Sequence, residues 1–302
     1  MLGFGKKKPV TEYDAEGEIE RVYHEICQVL RVSGVNLNFR TWAMFEKFLP
    51  AMWDAMRPNL ETRAFESGAD RVRSEAVTAA SQMPRLNALE TVRLGESQRY
   101  QVQAALHLYH YVNPKLLVLT SAVRLALGGE RLGGPTGQNV EHIERGEPPR
   151  MSPMEMVAAE PDDERLGNLF RDIEKTLGLS TINSDYRTLA LWPDYLDAAW
   201  TKLKPLIGEH SYQQAADALC ETARNAAREL PFGVELSRER LTELGEDVEE
   251  VVAKTQKFEE ILPPLILNIA LFQLDWKPAE ALREPPFPAA TRETATPAEV
   301  SR

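Results

Sequence analysis

Three short stretches of this 302-residue chain carry polar side chains that could act on a small molecule. They are the Ser184-Asp185 pair, the run Asn113-Pro114-Lys115, and residues 33–38. A carboxylate becomes a better general base when an apolar cleft raises its pKa. Asp185 would play this part, and Asn113 would help to hold a water molecule beside it. The chemistry predicted from these residue types is proton abstraction from a bound water.

Each stretch also has an ordinary structural interpretation. Ser or Asp before a helix is a preferred N-cap, and Pro is favoured at the first helical position after Asn. Lys115 would then be a solvated side chain near a helix start. The pattern alone favours capping over chemistry, so the function depends on what positions these residues.

An internal repeat provides the elements that must position them. Residues 38–58 align with residues 185–205 without a gap, at a constant offset of 147, and seven of the 21 positions are identical. Asn38 of the first copy corresponds to Asp185 of the second. The carboxylate is therefore present in one copy only.

Hydrophobic spacing predicts helices throughout the repeat. Pro58 and Pro84 mark predicted helix ends, and Pro114 marks a predicted start. The predicted helices of the first half are 16–30, 39–56, 61–82, 97–112 and 114–128. We therefore predict an all-α fold: a tandem duplication of a five-helix unit, packed as a pseudo-twofold dimer with a cleft between its halves.

Composition sets the expected domain boundaries. Residues 129–162 are rich in Gly, Pro and charge, which is typical of a linker loop, and residues 278–302 are rich in Pro, Ala, Glu and Thr. The predicted order is a flexible N-terminal arm (1–15), a first repeat (16–128), the linker loop (129–162), a second repeat (163–277) and a flexible C-terminal tail (278–302).

Composition also limits the class of function. The net charge of −11 disfavours binding to nucleic acid or to anionic membranes, and no apolar run reaches the roughly 18 residues of a membrane span. No apolar segment follows the basic residues near the N-terminus, and Cys27 and Cys220 are single. We expect a cytoplasmic protein without a metal or other cofactor.

At the residues described above, the chain resembles the group I 2-haloacid dehalogenases, all-helical enzymes that hydrolyse both D- and L-2-haloalkanoic acids. The resemblance covers almost the whole chain, including the tandem repeat. It runs through GEIERVYHEICQVLRV, FLPAMW, VNPKLLVLTSA and SDYRTLALWPDYL. It implies a duplicated helical fold, a small-molecule 2-haloacid substrate and no cofactor, and self-association into a homodimer would suit the family.

The resemblance also implies roles for particular residues. Asp185 would deprotonate a water that Asn113 helps to hold. That water would attack the α-carbon directly, with inversion and without an ester intermediate. Ser184 stands beside the base in the family's Ser-Asp pair and would contact the substrate.

Three substrate-binding positions depart from the family pattern. Gly34 and Leu37 stand where the family has a tryptophan and a phenylalanine, and Leu116 stands where it has a tyrosine. These changes leave two alternatives open. The scaffold could be a hydrolase or lyase of a larger or non-halogenated acid. It could also be a non-catalytic helical binding protein that keeps Asp185 and Asn113 only as caps.

Overall fold

The computed structural model describes residues 8–134 and 140–292. Across these ranges the regular elements are helices, joined by a 3₁₀ turn at Ala88–Glu90 and two isolated β-bridges. The all-α fold predicted from the sequence is confirmed. None of the helices in this part of the chain combines the length and apolar composition that a membrane crossing needs.

The helices fall into two series, one in each half of the chain, and several helices of the first series have a counterpart of equal length in the second. Those of the first half are α1 (Gly17–Leu30), α2 (Leu37–Trp42), α3 (Phe48–Leu60), α4 (Arg63–Ser81) and α5 (Glu96–Leu127). Those of the second half are α6 (Glu164–Leu177), α7 (Ser184–Leu189), α8 (Pro193–Ile207), α9 (His210–Arg228), α10 (Arg238–Glu243), α11 (Val248–Leu274) and α12 (Ala279–Arg283). Helices α1 and α6 have 14 residues each, α2 and α7 six, and α4 and α9 nineteen. The tandem duplication stays a prediction from the sequence, and such pairs of equal length are what it requires.

The predicted helix 39–56 is two helices, α2 and α3, separated by a turn at residues 43–47. The turn lets aromatic rings stack edge to face, since the ring centroids of Trp42 and Phe48 are 6.0 Å apart. Pro58 lies inside α3 and does not end it. Both boundary predictions are therefore wrong, and the consequence is that α2 is a short, independently placed helix.

The two helices predicted at 97–112 and 114–128 are a single 32-residue helix, α5. Proline in a helix interior removes one backbone hydrogen bond and costs about 3 kcal/mol. Burial outweighs that cost here, because the residues from Leu108 to Val123 are buried without interruption and each large apolar side chain contributes about 1.5–3 kcal/mol. Asn113 and Pro114 thus lie in the middle of α5 and not at a helix start.

Four long helices, α4, α5, α9 and α11, pack against one another and form the core. The two short helices attach crosswise: α2 of the first half packs on α11 of the second, and α7 of the second half packs on α5 of the first. Because α2 and α7 rest on different core helices, a space remains between them. That space is where the two halves meet.

The N-terminal end of the described chain packs on the body of the protein. Val10 accepts a hydrogen bond from the hydroxyl of Tyr23 (2.9 Å), and its backbone N–H donates to the carbonyl of Arg40 (2.9 Å). The predicted flexible arm is therefore corrected for residues 8–15. Residues 1–7 of that prediction lie outside the described residues.

The C-terminal end is also ordered against the body as far as Arg292. Leu282 of α12 is buried, Thr291 forms a β-bridge with Ile143, and Arg292 donates to Glu61 over 3.0 Å. The flexible tail predicted from residue 278 is wrong for residues 278–292, because these contacts to the linker and to Glu61 hold it. Residues 293–302 lie outside the described residues.

Candidate active site

Asp185 is the second residue of α7 and is only 4% exposed. Burial disfavours its charged form and raises the pKa of the carboxyl from 3.8 to about 6. Hydrogen bonds from the side chain of Asn113 and from its own backbone N–H oppose that rise. The carboxyl is therefore mostly ionised at neutral pH. It can also accept a proton readily, because its pKa lies only slightly below neutrality, and a general base needs both properties.

Asn113 reaches Asp185 from the other half of the chain. Its Nδ2 donates to Oδ1 of Asp185 over 2.6 Å, and both side chains are buried. The contact exists because α7 packs on α5, where Asn113 occupies a mid-helix position. Sequence reasoning placed these two residues at one site, and the structure brings them together.

The capping interpretation does not fit either residue. The N-cap of α7 is Asn183, whose side chain makes no capping hydrogen bond, and Ser184 and Asp185 are the first residues of the helix itself. Asn113 is inside α5, where there is no helix end to cap. Asp185 and Asn113 are therefore distinguished by the hydrogen bond between them and by the space that both side chains line.

That space is a cavity of about 30 Å³, which is room for a water molecule. It lies between α2, α5, α7 and α11. Among the described residues that line it, Asp185 is the one ionisable side chain, and the others are polar amides, a serine and apolar groups. The lining residues are Asn36, Leu37, Asn38, Asn113, Leu116, Asn183, Ser184, Asp185, Phe258, Leu262 and Leu265.

Three of the four predicted substrate-binding residues, Leu37, Leu116 and Ser184, line this cavity. Gly34 does not. A Cβ at Gly34 would lie 3.2 Å from Cβ of Met154 and 3.7 Å from Oε1 of Glu12. The prediction that Gly34 is a substrate-binding position is therefore corrected, because Gly34 is outside the cavity lining and Met154 lies beside it.

Sequence reasoning missed four lining residues, Asn183, Phe258, Leu262 and Leu265, and it named Asn36 and Asn38 only as part of the stretch 33–38. Phe258, Leu262 and Leu265 come from α11 at helical spacing, and the signal for them was one apolar face of that helix. Asn36, Asn38 and Asn183 had a clearer signal. The triplets 36–38 and 183–185 both read Asn-x-Asn/Asp at the repeat offset of 147.

Lys115 is not the solvated side chain that the sequence predicts. It is 1% exposed, and its Nζ contacts Glu66 (2.7 Å), the hydroxyl of Tyr111 (2.6 Å) and the carbonyl of Leu30 (3.0 Å). Burial lowers the pKa of Lys115 to about 8, although Glu66 opposes that shift. Lys115 does not line the cavity. Its contacts with Glu66 and Leu30 connect α5 to α4 and α1.

Removal of this buried ion pair should have a large effect on stability. We expect Lys115→Met to lower the free energy of unfolding by about 3–5 kcal/mol, because Glu66 would keep its buried charge without the ammonium group that offsets it. The double variant with Glu66→Leu should recover much of the loss. Urea denaturation of Lys115→Met, the double variant and wild type measures both effects, and equal losses in the single and the double variant would contradict the pairing.

Metal ligation is not evident in the described part of the chain, where no three His, Cys, Asp or Glu side chains are grouped to hold an ion. The described site is therefore a pair of hydrogen-bonded side chains in a cavity lined by amides, a serine and apolar side chains. Its chemistry depends on what enters that cavity.

Comparison with known proteins identifies the family. The family model described as "Halocarboxylic acid dehydrogenase DehI" matches residues 34–186, about half of the chain. A configuration-inverting 2-haloacid dehalogenase of Pseudomonas sp. (strain 113) is 32% identical over 226 residues, which is 72% of this chain and 74% of that protein. The chain belongs to the DehI family.

Other members of the DehI family extend this likeness along the chain. An (R)-2-haloacid dehalogenase of Pseudomonas putida is 29% identical over 88% of this chain and 91% of its own length. The solved structure of D-2-haloacid dehalogenase in complex with L-LA has a TM-score of 0.80 and 26% identity, covering 89% of this chain and 95% of that one. The family predicted from the sequence is confirmed. The narrower prediction, a group of enzymes that act on both D and L substrates, is not confirmed. Relatives named (R)- and D-2-haloacid dehalogenase are similar to this chain as well.

Proposed function

We propose that this protein hydrolyses D- and L-2-haloalkanoic acids to 2-hydroxy acids, with inversion at the α-carbon. As a DehI family member it is a hydrolase that acts on carbon–halide bonds. The observation that carries the mechanism is the Asn113–Asp185 hydrogen bond of 2.6 Å at a water-sized cavity. A base, a group that orients it and room for one water are what hydrolysis without a covalent intermediate needs.

In the proposed reaction, Asp185 accepts a proton from the bound water as that water attacks the α-carbon. The oxygen lone pair forms the new C–O bond, and the electron pair of the carbon–halogen bond leaves with the halide. Asn113 keeps Oδ1 of Asp185 fixed, so Oδ2 faces the water. Attack from the side opposite the halogen inverts the configuration.

Apolar walls support this chemistry. Leu37, Leu116 and Leu262 enclose the cavity and keep bulk water from the ionised carboxylate, which strengthens its attraction for a proton. Walls from both halves of the chain surround one water site. We infer that either enantiomer can present its α-carbon to that water.

The test is halide release from D- and L-2-chloropropionate, with the chirality of the lactate read at the same time. Lactate of opposite configuration from each enantiomer supports the proposal. Single turnover in H₂¹⁸O with excess enzyme should place the label in lactate, whereas label retained on Asp185 would indicate an ester intermediate. No halide from either enantiomer would contradict the proposed function.

The wall residue Leu116 should set substrate size. We expect Leu116→Ala to raise kcat/KM for 2-bromobutanoate relative to 2-bromopropionate by about tenfold, since one methylene in a pocket discriminates about 10–200-fold. Leu119→Ala is the matched control, because Leu119 is buried on the same helix outside the cavity lining. An equal change in both variants would show that general loosening, and not the wall, alters selectivity.

A further inference from the structure

Two asparagines of the α2 segment line the cavity with side-chain amide atoms that have no hydrogen-bond partner among the described residues. Asn36 is 4% exposed and Asn38 is 3% exposed, and both line the cavity. Neither amide atom of Asn38 has a partner, and Oδ1 of Asn36 has none. Burying an unpaired amide destabilises a fold, so a residue of this kind needs a reason other than packing.

Helix capping does not supply that reason. Asn36 is the N-cap residue of α2, but its side chain makes no capping hydrogen bond, and Asn38 is already inside the helix. Asn38 corresponds to Asp185 at the repeat offset of 147. The position that carries the base in the second half therefore carries a free amide in the first.

The amide of Asn38 and the base Asp185 come to the cavity on different helices, α2 and α7. Helix α2 packs against α11, while α7 packs against α5, and the cavity lies between them. A water held by Asp185 reaches the α-carbon from the α7 side. In a displacement with inversion the leaving group departs opposite the nucleophile, so it needs a residue on a helix other than α7, and α2 supplies such lining residues.

We propose that Asn38 is the leaving-group residue of this site, donating its side-chain N–H to the halide as the carbon–halogen bond breaks. This inference rests on the proposed function. The halide gains a full negative charge, and the described lining residues include no Arg, Lys or His to meet it. A fixed N–H donor aimed at a developing charge lowers the barrier. One N–H of Asn113 already donates to Asp185, whereas both N–H groups of Asn38 are without a partner among the described residues.

The variant Asn38→Leu tests the assignment, because leucine has nearly the same shape and no donor. We expect kcat for 2-chloropropionate to fall about 10²-fold. The loss should be smaller for 2-bromo- and smallest for 2-iodopropionate, since these halides accept hydrogen bonds more weakly and leave more easily. KM should change little for all three.

Gln273→Leu is the matched control. Gln273 is also buried with both amide atoms unpaired, but it does not line the cavity. Both variants should melt at or above the wild-type Tm, because each removes an unpaired amide. Only Asn38→Leu should lose activity, which separates a functional amide from a structural one.

Two outcomes would overturn the inference while leaving the proposed function intact. A rise in KM shared equally by the three halogens, with kcat unchanged, would assign the amide to the substrate carboxylate. Unchanged kinetics would assign it no role. If wild type releases no halide at all, the proposed function fails instead.

In that case sodium bromide still tests the halide site. With each protein referred to its own Tm in sodium sulfate of equal ionic strength, the Tm in sodium bromide should be higher for wild type than for Asn38→Leu, because the general effect of each salt is common to both proteins. Equal shifts in the two proteins would overturn the halide assignment.

Discussion

Asp185→Asn should lower kcat for 2-haloacids by about 10²–10⁴-fold, the usual contribution of a general base. The amide is nearly isosteric and can still accept the hydrogen bond from Asn113 through its oxygen. The variant thus removes the proton acceptor while leaving the geometry in place. Halide release under saturating 2-chloropropionate measures the effect, and activity within threefold of wild type would contradict the role of Asp185.

The same variant should be more stable than wild type at neutral pH. Because burial raises the pKa of Asp185 from 3.8 to about 6, the folded state binds a proton more tightly than the unfolded state. The ionised carboxylate therefore costs the fold about 2–3 kcal/mol above pH 6, and this cost disappears below about pH 4. Asp185→Asn should show the gain at pH 7.5 and lose it at pH 4.

Asp172→Asn is the control for both measurements. Asp172 is a half-buried carboxylate whose oxygens accept from Lys204 and Trp200, outside the cavity lining. Its loss should leave kcat within twofold of wild type. A change in kcat equal to that of Asp185→Asn would show that the loss of a carboxylate anywhere on the chain has this effect.

Asn113→Leu is the second variant with a large expected effect. Its hydrogen bond lowers the pKa of Asp185, so its removal should move the acid limb of the pH profile of kcat/KM upward from about pH 6. Loss of the contact also frees the carboxylate to rotate, and misplacement of a reacting group by about 1 Å costs about 10²-fold in rate. Activity should partly return at high pH, where the base is ionised again.

A pH profile separates this role from simple damage to α5. Ser121→Ala is the matched control, since Ser121 is buried on the same helix, outside the cavity lining, with its hydroxyl unpaired among the described residues. It should keep the wild-type profile. An Asn113→Leu enzyme that is slower by the same factor at every pH would contradict any tuning of Asp185 by Asn113.

The polar stretches and the family resemblance named several residues that the structure places around one cavity, and their roles stay predictions. Asp185 and Asn113 are far apart in the chain, yet the family resemblance placed them together, and the 2.6 Å contact agrees. Leu37, Leu116 and Ser184 were also predicted, and they line the cavity. These positions could be predicted because they lie next to motifs that are visible in the sequence.

The errors have a common physical origin. Pro114 predicts a helix start from local rules, but burial along α5 outweighs the local cost of a proline. The family resemblance predicts Gly34 in the substrate site, but Met154 from the linker lies beside it, which no local pattern reveals. Long-range packing decides both positions.

The correspondence of Asn38 with Asp185 in the predicted repeat has an evolutionary consequence. If the two halves were separate, identical chains, one gene would specify both positions, and every mutation would enter the cavity twice. Two aspartates facing one cavity would share a proton, and two asparagines would leave no base. Fusion of the halves into one reading frame lets selection act on each wall independently. A joined chain is thus the simplest genetic route to a site with a base on one side and an amide on the other.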